Sequence, residues 1–359
     1  MNNIHLPEFM SVLPLNVDAA IISDPANKRY LTGVNTDDAG TLIVSHDSAF
    51  FIIDSRYIEA VERTVDPNIK VMLQQDLFAQ ISDIFSKQNL KSVCLETQKT
   101  SVALCEKLKS KLSDVVIDLN IDAGDVVNKL RSVKDNLELE YIKQAQKITD
   151  NAFDYILGKI KEGKSEKELA LNLEFFIRSN GASGVSFDII FIGGANTSMP
   201  HGVPGDYKLN YGDFITIDFG AEFNGYKSDM TRTVALGKVS DEQKKVYETV
   251  LTAQQTALEQ IKEGMLCSDI DKIARDIIKN KGYGEFFGHA LGHSVGLEIH
   301  EAPNFSPKCD DILKAGMILT VEPGIYLPEK FGVRIEDMVY VTKNGALNLT
   351  KSKKSLIIL

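Results

Sequence analysis

An α/β domain followed by an α+β domain built from a repeated unit is the architecture this sequence predicts. Three observations carry that expectation. Up to about residue 125, short apolar runs alternate with helical patterns, as in α/β folds. Beyond it, Ile160-Lys161-Glu162-Gly163 returns as Ile261-Lys262-Glu263-Gly264, 101 residues further on. Finally, 359 residues that are 43% hydrophobic and 25% charged suffice for two ordinary globular cores.

In the first domain, taken as residues 1–125, candidate strands fall at 19–23, 41–45, 49–54, 70–73, 92–96 and 115–118. Helical patterns lie between them at 56–64, 77–87 and 101–112. The stretch Asp122-Ala123-Gly124, ahead of a long charged helix starting near Asn136, marks the boundary to the second domain, residues 126–359. There the echo extends beyond four residues. Each copy ends a long helical pattern and precedes a shorter helix, one starting near Ser165 and the other near Ser268. Ser165 with Glu168 forms a capping box, and Ser268 with Asp271 resembles one. Gly181 and Gly282, again 101 apart, are placed to stop those helices as left-handed caps. A duplicated half-domain with internal pseudo-twofold symmetry follows, and a site between the halves would draw residues from both.

Composition excludes several functions. A formal charge of −10 argues against nucleic acid and against an anionic membrane as partners. No apolar run approaches the roughly 18 residues of a membrane span. Residues 1–10 lack the basic and apolar regions of a secretory signal, so the cytoplasm is the expected address. Cys94, Cys105, Cys267 and Cys309 show no CxxC spacing and read as reduced, mostly buried residues. The sequons at Asn196 and Asn348 then carry no meaning.

The chemistry concentrates in the last third. Asn224-Gly225 between alternating runs signals a type I′ hairpin. In that register Asp218 faces Thr231, with Asp229 diagonal to Asp218 on the same face and about 7–8 Å away. Two carboxylates there could clasp metals, although the hairpin alone would equally serve as a solvated polar face. His289, His293 and His300 fall within twelve residues, and glycines at 288, 292 and 296 favour an extended strand or loop over a helix there. Glu322 stands at the lip of a strand that ends in Pro323-Gly324. Arg334 and Glu336 share one face of an otherwise apolar strand, 333–341, where a buried Glu needs a cation or a partner. Asp218, Asp229, His293, Glu322 and Glu336 thus have the make-up of a site for two hard divalent ions. Two rival motifs fail. Gly292-His293-Ser294-Val295-Gly296 matches a nucleophile elbow, but no His stands at the later position a hydrolase triad needs. His300-Glu301 is followed by Asn304 where a zinc-binding HExxH requires His.

The sequence resembles the pita-bread metallopeptidases, the family of methionine aminopeptidase, aminopeptidase P, prolidase and creatinase. The motifs that carry the likeness are Pro200-His201-Gly202, Asp218-Phe219-Gly220-Ala221, Asp229-Met230-Thr231-Arg232-Thr233, the glycine-histidine run 288–296, Ile299-His300-Glu301-Ala302-Pro303, Val321-Glu322-Pro323-Gly324-Ile325-Tyr326 and Val333-Arg334-Ile335-Glu336-Asp337. Residues 27–33 and 53–57 extend it into the first domain and point to the aminopeptidase P and prolidase branch. Phe191-Ile192-Gly193-Gly194 departs from the small-residue stretch usual before the Asn.

The resemblance implies a creatinase-type N-terminal domain and a pita-bread catalytic domain. It implies Asp218, Asp229, His293, Glu322 and Glu336 as ligands of two divalent ions, Mn²⁺ first with Co²⁺ or Zn²⁺ as substitutes. Glu322 would also shuttle a proton, making it catalytic together with His201 and His300 as donors to the intermediate. His289 and Arg334 would attend the substrate, Arg334 by orienting Glu336. The implied activity is metal-dependent cleavage of Xaa-Pro bonds in proline-containing peptides by a homodimer. The reading leans to the aminopeptidase, with Xaa-Pro dipeptidase as the alternative. A creatinase-like hydrolase or an inactive binding module would not need all five ligands.

Overall fold

The computed structural model describes residues 5–359; the first four residues of the segment read for a signal lie outside the described residues. The chain divides into two compact units, one ending at Arg131 and the other running from Ser132 to Leu359.

In the first unit, six strands form one mixed sheet. Their spatial order is Ile69–Leu73, Ala49–Ile53, Thr41–Ser45, Ala19–Ile22, Ser92–Leu95, Val116–Asp122. The central strands are buried at every position but Thr41, so they read as continuous apolar runs rather than alternating ones. Helices Leu77–Lys87 and Val102–Lys111 start at Asp76 and Ser101, whose side chains accept from backbone N–H groups of the first turn. The helices His5–Val12 and Pro25–Thr32 had no counterpart in the sequence analysis. Pro25–Thr32 forms because Asp24 caps it and Gly33, at φ 74°, ends it. Its residues serve structure: Asn27 donates to the buried Glu96, and Lys28 donates to the carbonyls of Asp37, Ala39 and Gly40. The helix Ala123–Ser132 belongs with this sheet, since Ala123 and Val127 are fully buried and Arg131 donates to Asn27. It carries the division past residue 125, to Arg131.

The second unit shows the repeat directly. Helices Asn136–Leu157 and Glu166–Ser179 recur as Asp241–Gln260 and Cys267–Asn280. The second member of each pair has 14 residues, and the two begin 101 residues apart. Gly163 and Gly264, at φ 80° and 87°, make the same turn before them. Gly163 N–H donates to Leu209 O and Gly264 N–H to Leu313 O, so each turn is tied to the segment that leads into the next strand of its own half. Gly181 and Gly282 follow the helix ends at φ 97° and 86°, the conformation expected of them. Two expectations are corrected. Ser165 caps its helix by accepting from Glu168 N–H, but the Glu168 side chain pairs with Lys164 and closes no capping box. The second short helix has Leu266 as its N-cap with no side-chain hydrogen bond, so Ser268 and Asp271 form no capping box. Asp271 instead binds Arg275 and accepts from Leu291 N–H.

Two apolar cores match the halves. One centres on Phe153, Leu173, Phe191 and Ile217, the other on Val250, Ile270, Leu319 and Val339. Each half contributes a sheet: Met230–Ala235, Phe214–Phe219 and Ile190–Gly193 in the first, and five strands from Glu301–Phe305 to Gly345–Asn348 in the second. The expected single strand 333–341 is broken. Phe331–Arg334 pairs with Gly324–Leu327, and Asp337–Thr342 pairs with Ile318–Val321 in another sheet. Ile335 and Glu336 are the crossing point, where Glu336 N–H bonds Thr231 O across the halves.

Candidate metal centre and its cavity

The hairpin has the register the Asn-Gly turn implies. Asn224 and Gly225 both take positive φ, Phe223 faces Tyr226, and Asp218 faces Thr231. Asp229 lies just outside the ladder, beside Gly220. A Cβ on Gly220 would sit 1.8 Å from Ser228 O, so the close approach requires glycine. Ile215, Ile217 and Phe219 fill the core on the opposite face.

All five expected ligands converge. Asp218, Asp229, His293, Glu322 and Glu336 line one cavity of about 870 Å³, together with His201, His289, His300 and Arg334. Ligand atoms of Asp229, His293 and Glu336 lie within 4.8 Å of one another. His293 Nε2 is 3.5 Å from Asp229 Oδ2 and 3.4 Å from Glu322 Oε1. Its Nδ1 donates to Ser294 O at 3.1 Å, so in the neutral ring Nε2 turns a lone pair toward two carboxylates. Burial, then the nearby His300, lowers the His293 pKa to about 4, which makes the neutral ring the working form. A lone pair facing carboxylate oxygens is repulsive unless a cation lies between them.

The carboxylates make the same demand. Burial first, then Glu336, Asp218 and Glu322, pushes Asp229 well above the usual range. Burial, followed by Glu322 and Asp218, does the same to Glu336. Glu322 rises to about 8, chiefly through burial, with Arg334 opposing. Asp218 Oδ1, Asp229 Oδ1 and Glu336 Oε1 are buried with no hydrogen-bond partner. Unpaired anionic oxygens away from water cost several kcal/mol unless a cation compensates. Four carboxylates and one neutral imidazole fit hard divalent ions.

The supporting contacts came partly as expected. Thr231 Oγ1 donates to Glu336 Oε2 at 2.7 Å, and Thr320 Oγ1 accepts from His293 N–H while donating to Glu322. Arg334 makes no direct hydrogen bond to Glu336 and reaches it only through Thr231 Oγ1, which Arg334 Nε donates to and which donates to Glu336. Its guanidinium is buried and gives Nη2 to Asp218 Oδ2 at 2.6 Å, Nη1 to Tyr326 Oη and Pro200 O, and Nε to Thr231 Oγ1. The broken strand explains this: Arg334 leaves one sheet and Glu336 enters the next, so they no longer share a face. Tyr326 Oη in turn donates to His289 Nε2, whose Nδ1 donates to Ala290 O. Burial lowers His289 to about 4, so it stays neutral. His201 and His300 are exposed in the cavity, with the His300 ring edge-on to His293 at 4.4 Å between centroids.

Tyr326, Thr320 and Lys134 escaped the sequence analysis. Thr320 and Tyr326 flank Glu322 in sequence, on the successive strands Ile318–Val321 and Gly324–Leu327 that belong to different sheets. Lys134, whose buried Nζ pairs with Glu301 Oε2 at 3.0 Å, carried no local signal, because 167 residues separate the partners.

Residues 140–343 match the description "Metallopeptidase family M24". The chain belongs to that family. Residues 14–133 match "Creatinase/Prolidase N-terminal domain", so the M24 enzyme carries both of the family's domains. It is 40% identical to the Xaa-Pro dipeptidase of Pyrococcus furiosus over 95% of this chain and 96% of that one. Among solved structures it is similar to the Xaa-Pro dipeptidase from Bacillus anthracis, with TM-score 0.94, 38% identity and full coverage of both chains. It also resembles the X-Pro aminopeptidase from Thermotoga maritima, at TM-score 0.89 and 37% identity over 96% of this chain and 98% of that one. The second unit of this M24 metallopeptidase is the pita-bread fold, and the enzyme works with divalent metal ions. Among the described residues, no helix is long and apolar enough to cross a membrane.

Proposed function

We propose that this M24 enzyme hydrolyses the bond before proline, acting first on Xaa-Pro dipeptides. The carrying observation is the convergence of five donors, with orphaned buried carboxylate oxygens, on one cavity that also presents His201 and His300. The sequence analysis leaned to the aminopeptidase. The relatives favour its alternative, since those from P. furiosus and B. anthracis are named Xaa-Pro dipeptidases. The cavity volume lies within the range that encloses a small ligand.

Asp218, Asp229, His293, Glu322 and Glu336 would hold the ions in this reading. The oxygen-rich set favours Mn²⁺, with Co²⁺ or Zn²⁺ as substitutes. When bound, two such ions supply Lewis-acid activation of water and of the scissile carbonyl. The residues do the rest. Glu322, at the cavity wall and hydrogen-bonded by Thr320, takes a proton from the attacking water and delivers it to the departing proline nitrogen. His201 and His300 both line the cavity and donate to the carbonyl oxygen as it gains charge. His289, held by Tyr326 and Ala290, forms part of the wall against the proline ring. A homodimer and a cytoplasmic address complete the reading, supported by the family resemblance and by composition.

The test compares Mn²⁺-loaded enzyme on an Xaa-Pro dipeptide and an Xaa-Pro-Yaa tripeptide, with metal counted per chain. Two ions per chain and faster dipeptide cleavage are expected. Faster tripeptide cleavage would return the assignment to the aminopeptidase, and turnover unchanged in metal-stripped enzyme would sink the mechanism.

A further inference from the structure

We propose that Glu166 is a positioning residue that sets the placement of His201 in the cavity. Glu166 is the first residue of the helix Glu166–Ser179 and is fully buried. Its Oε1 accepts from Gly193 N–H at 2.8 Å and from Asn196 Nδ2 at 2.9 Å. Its Oε2 accepts from Gly205 N–H at 2.9 Å. One carboxylate therefore clasps both ends of the segment 193–205. That segment supplies Pro200, His201, Gly202, Val203 and Pro204 to the cavity wall.

The His201 ring is exposed and, among the described residues, has no hydrogen-bond partner in the protein. Its position is therefore inherited from its backbone. Thr197, through Gly332 N–H, and Arg334, through Pro200 O, pin the segment on the metal-centre side. Glu166 closes the return arm after His201. A carboxylate accepting three N–H bonds at a helix N-terminus is a strong, directional anchor.

The internal repeat separates this role from a general requirement of the fold. At the equivalent place, 101 residues on, stands Cys267, the first residue of the matching helix. There the adjoining loop is held by backbone bonds, Cys267 N–H to Asp311 O and Ser268 N–H to Cys309 O, and by a thiol contact between Cys267 and Cys309, with no carboxylate clasping it. The first half has the corresponding backbone bonds, Glu166 N–H to Tyr207 O and Lys167 N–H to Gly205 O, and adds the carboxylate. The architecture closes without the clasp; the half that presents His201 has it.

This inference rests on the assignment of His201 to the reaction, so its test carries an arm that needs no turnover. In metal-loaded enzyme, Glu166→Gln leaves one acceptor oxygen and turns an amide NH₂ toward an N–H it cannot bind. Hydrogen exchange should quicken at amides within 193–205 and stay unchanged in the helix Asp241–Gln260. On an Xaa-Pro substrate, kcat should fall about tenfold to a hundredfold, the scale of a misplaced reacting group. Metal content should remain at the wild-type value. In a His201→Ala background, Glu166→Gln should then cost less than about twofold more, since interacting residues are not additive. Should Glu166→Gln not fold, Glu166→Asp, which keeps the charge and shortens the reach, enters the same cycle. Unchanged exchange at 193–205 would overturn the clasp. The full loss repeated in the His201→Ala background would overturn its action through His201. A wild-type enzyme inactive on Xaa-Pro substrates would instead refute the proposed function, while the exchange arm would still report on the clasp.

Discussion

Replacing Arg334 by Met removes the buried cation that organises the centre while keeping most of its volume. Four hydrogen bonds go with it, to Asp218, Tyr326, Pro200 and Thr231. Breaking a buried ion pair from one side costs about 3–5 kcal/mol, because the other charge is left uncompensated. The same range caps the sum here, since bonds sharing one side chain are not additive. At about 2–4 °C per kcal/mol for a domain of this size, the melting temperature should drop about 6–20 °C in metal-free protein. Asp218 also loses the partner that aims its Oδ2, and loss of such an orienting group weakens metal binding about 10–100-fold. Arg334→Lys keeps the charge, but a point-like ammonium does not bridge Asp218 and Tyr326 as the planar fork does, so it should fall between. Thermal melts with chelator and calorimetric Mn²⁺ titration measure both effects. A Met variant within about 2 °C of wild type and equal to it in Mn²⁺ affinity would refute the assignment of Arg334 as organiser.

Other consequences follow from the same geometry. Asp229→Asn should lower the metal count per chain and abolish turnover without unfolding the protein. Its metal-free melt should match or exceed the wild type's, because one crowded carboxylate is gone; elemental analysis and a chelated melt decide it. Gly292→Ala would place a Cβ 2.0 Å from Thr320 O and should destabilise by about 3 kcal/mol or more, whereas Gly345→Ala meets nothing within 4 Å and should melt like wild type. Glu138 is buried under Tyr226, and burial pushes it up to about 7. The folded chain therefore holds a proton that the unfolded chain releases near pH 4.5, so this group's contribution to stability falls as pH rises from about 4.5 to 7, by about 3 kcal/mol in all. Glu138→Gln should lose that decline, gaining on wild type above pH 7 in a pH series of melts; parallel curves would contradict it.

Much of the centre was legible because its signals are local. Asn224-Gly225 alone fixes which residue faces which, and so puts Asp218 opposite Thr231 and Asp229 on the same face. The repeat was legible because both copies need glycine at the same two turns, Gly163 with Gly264 and Gly181 with Gly282. The failures are equally physical. Ser268 looked like a cap because the motif fits, yet the N-cap is Leu266, two residues earlier, and Asp271 is drawn to Arg275. Arg334 and Glu336 looked like neighbours on one strand because an i, i+2 pair shares a face only while the strand stays in one sheet.

The sequence by itself picked out the five candidate donors, the hairpin register and the duplicated halves, because residue type, turn chemistry and periodicity act over a few positions. Tertiary structure decided what those donors are tied to. Arg334 reaches Asp218 across 116 residues, Lys134 meets Glu301 across 167, and Glu166 clasps the His201 segment from a neighbouring helix. Buried charges must find partners wherever the packed chain brings them, and local sequence carries no record of that distance.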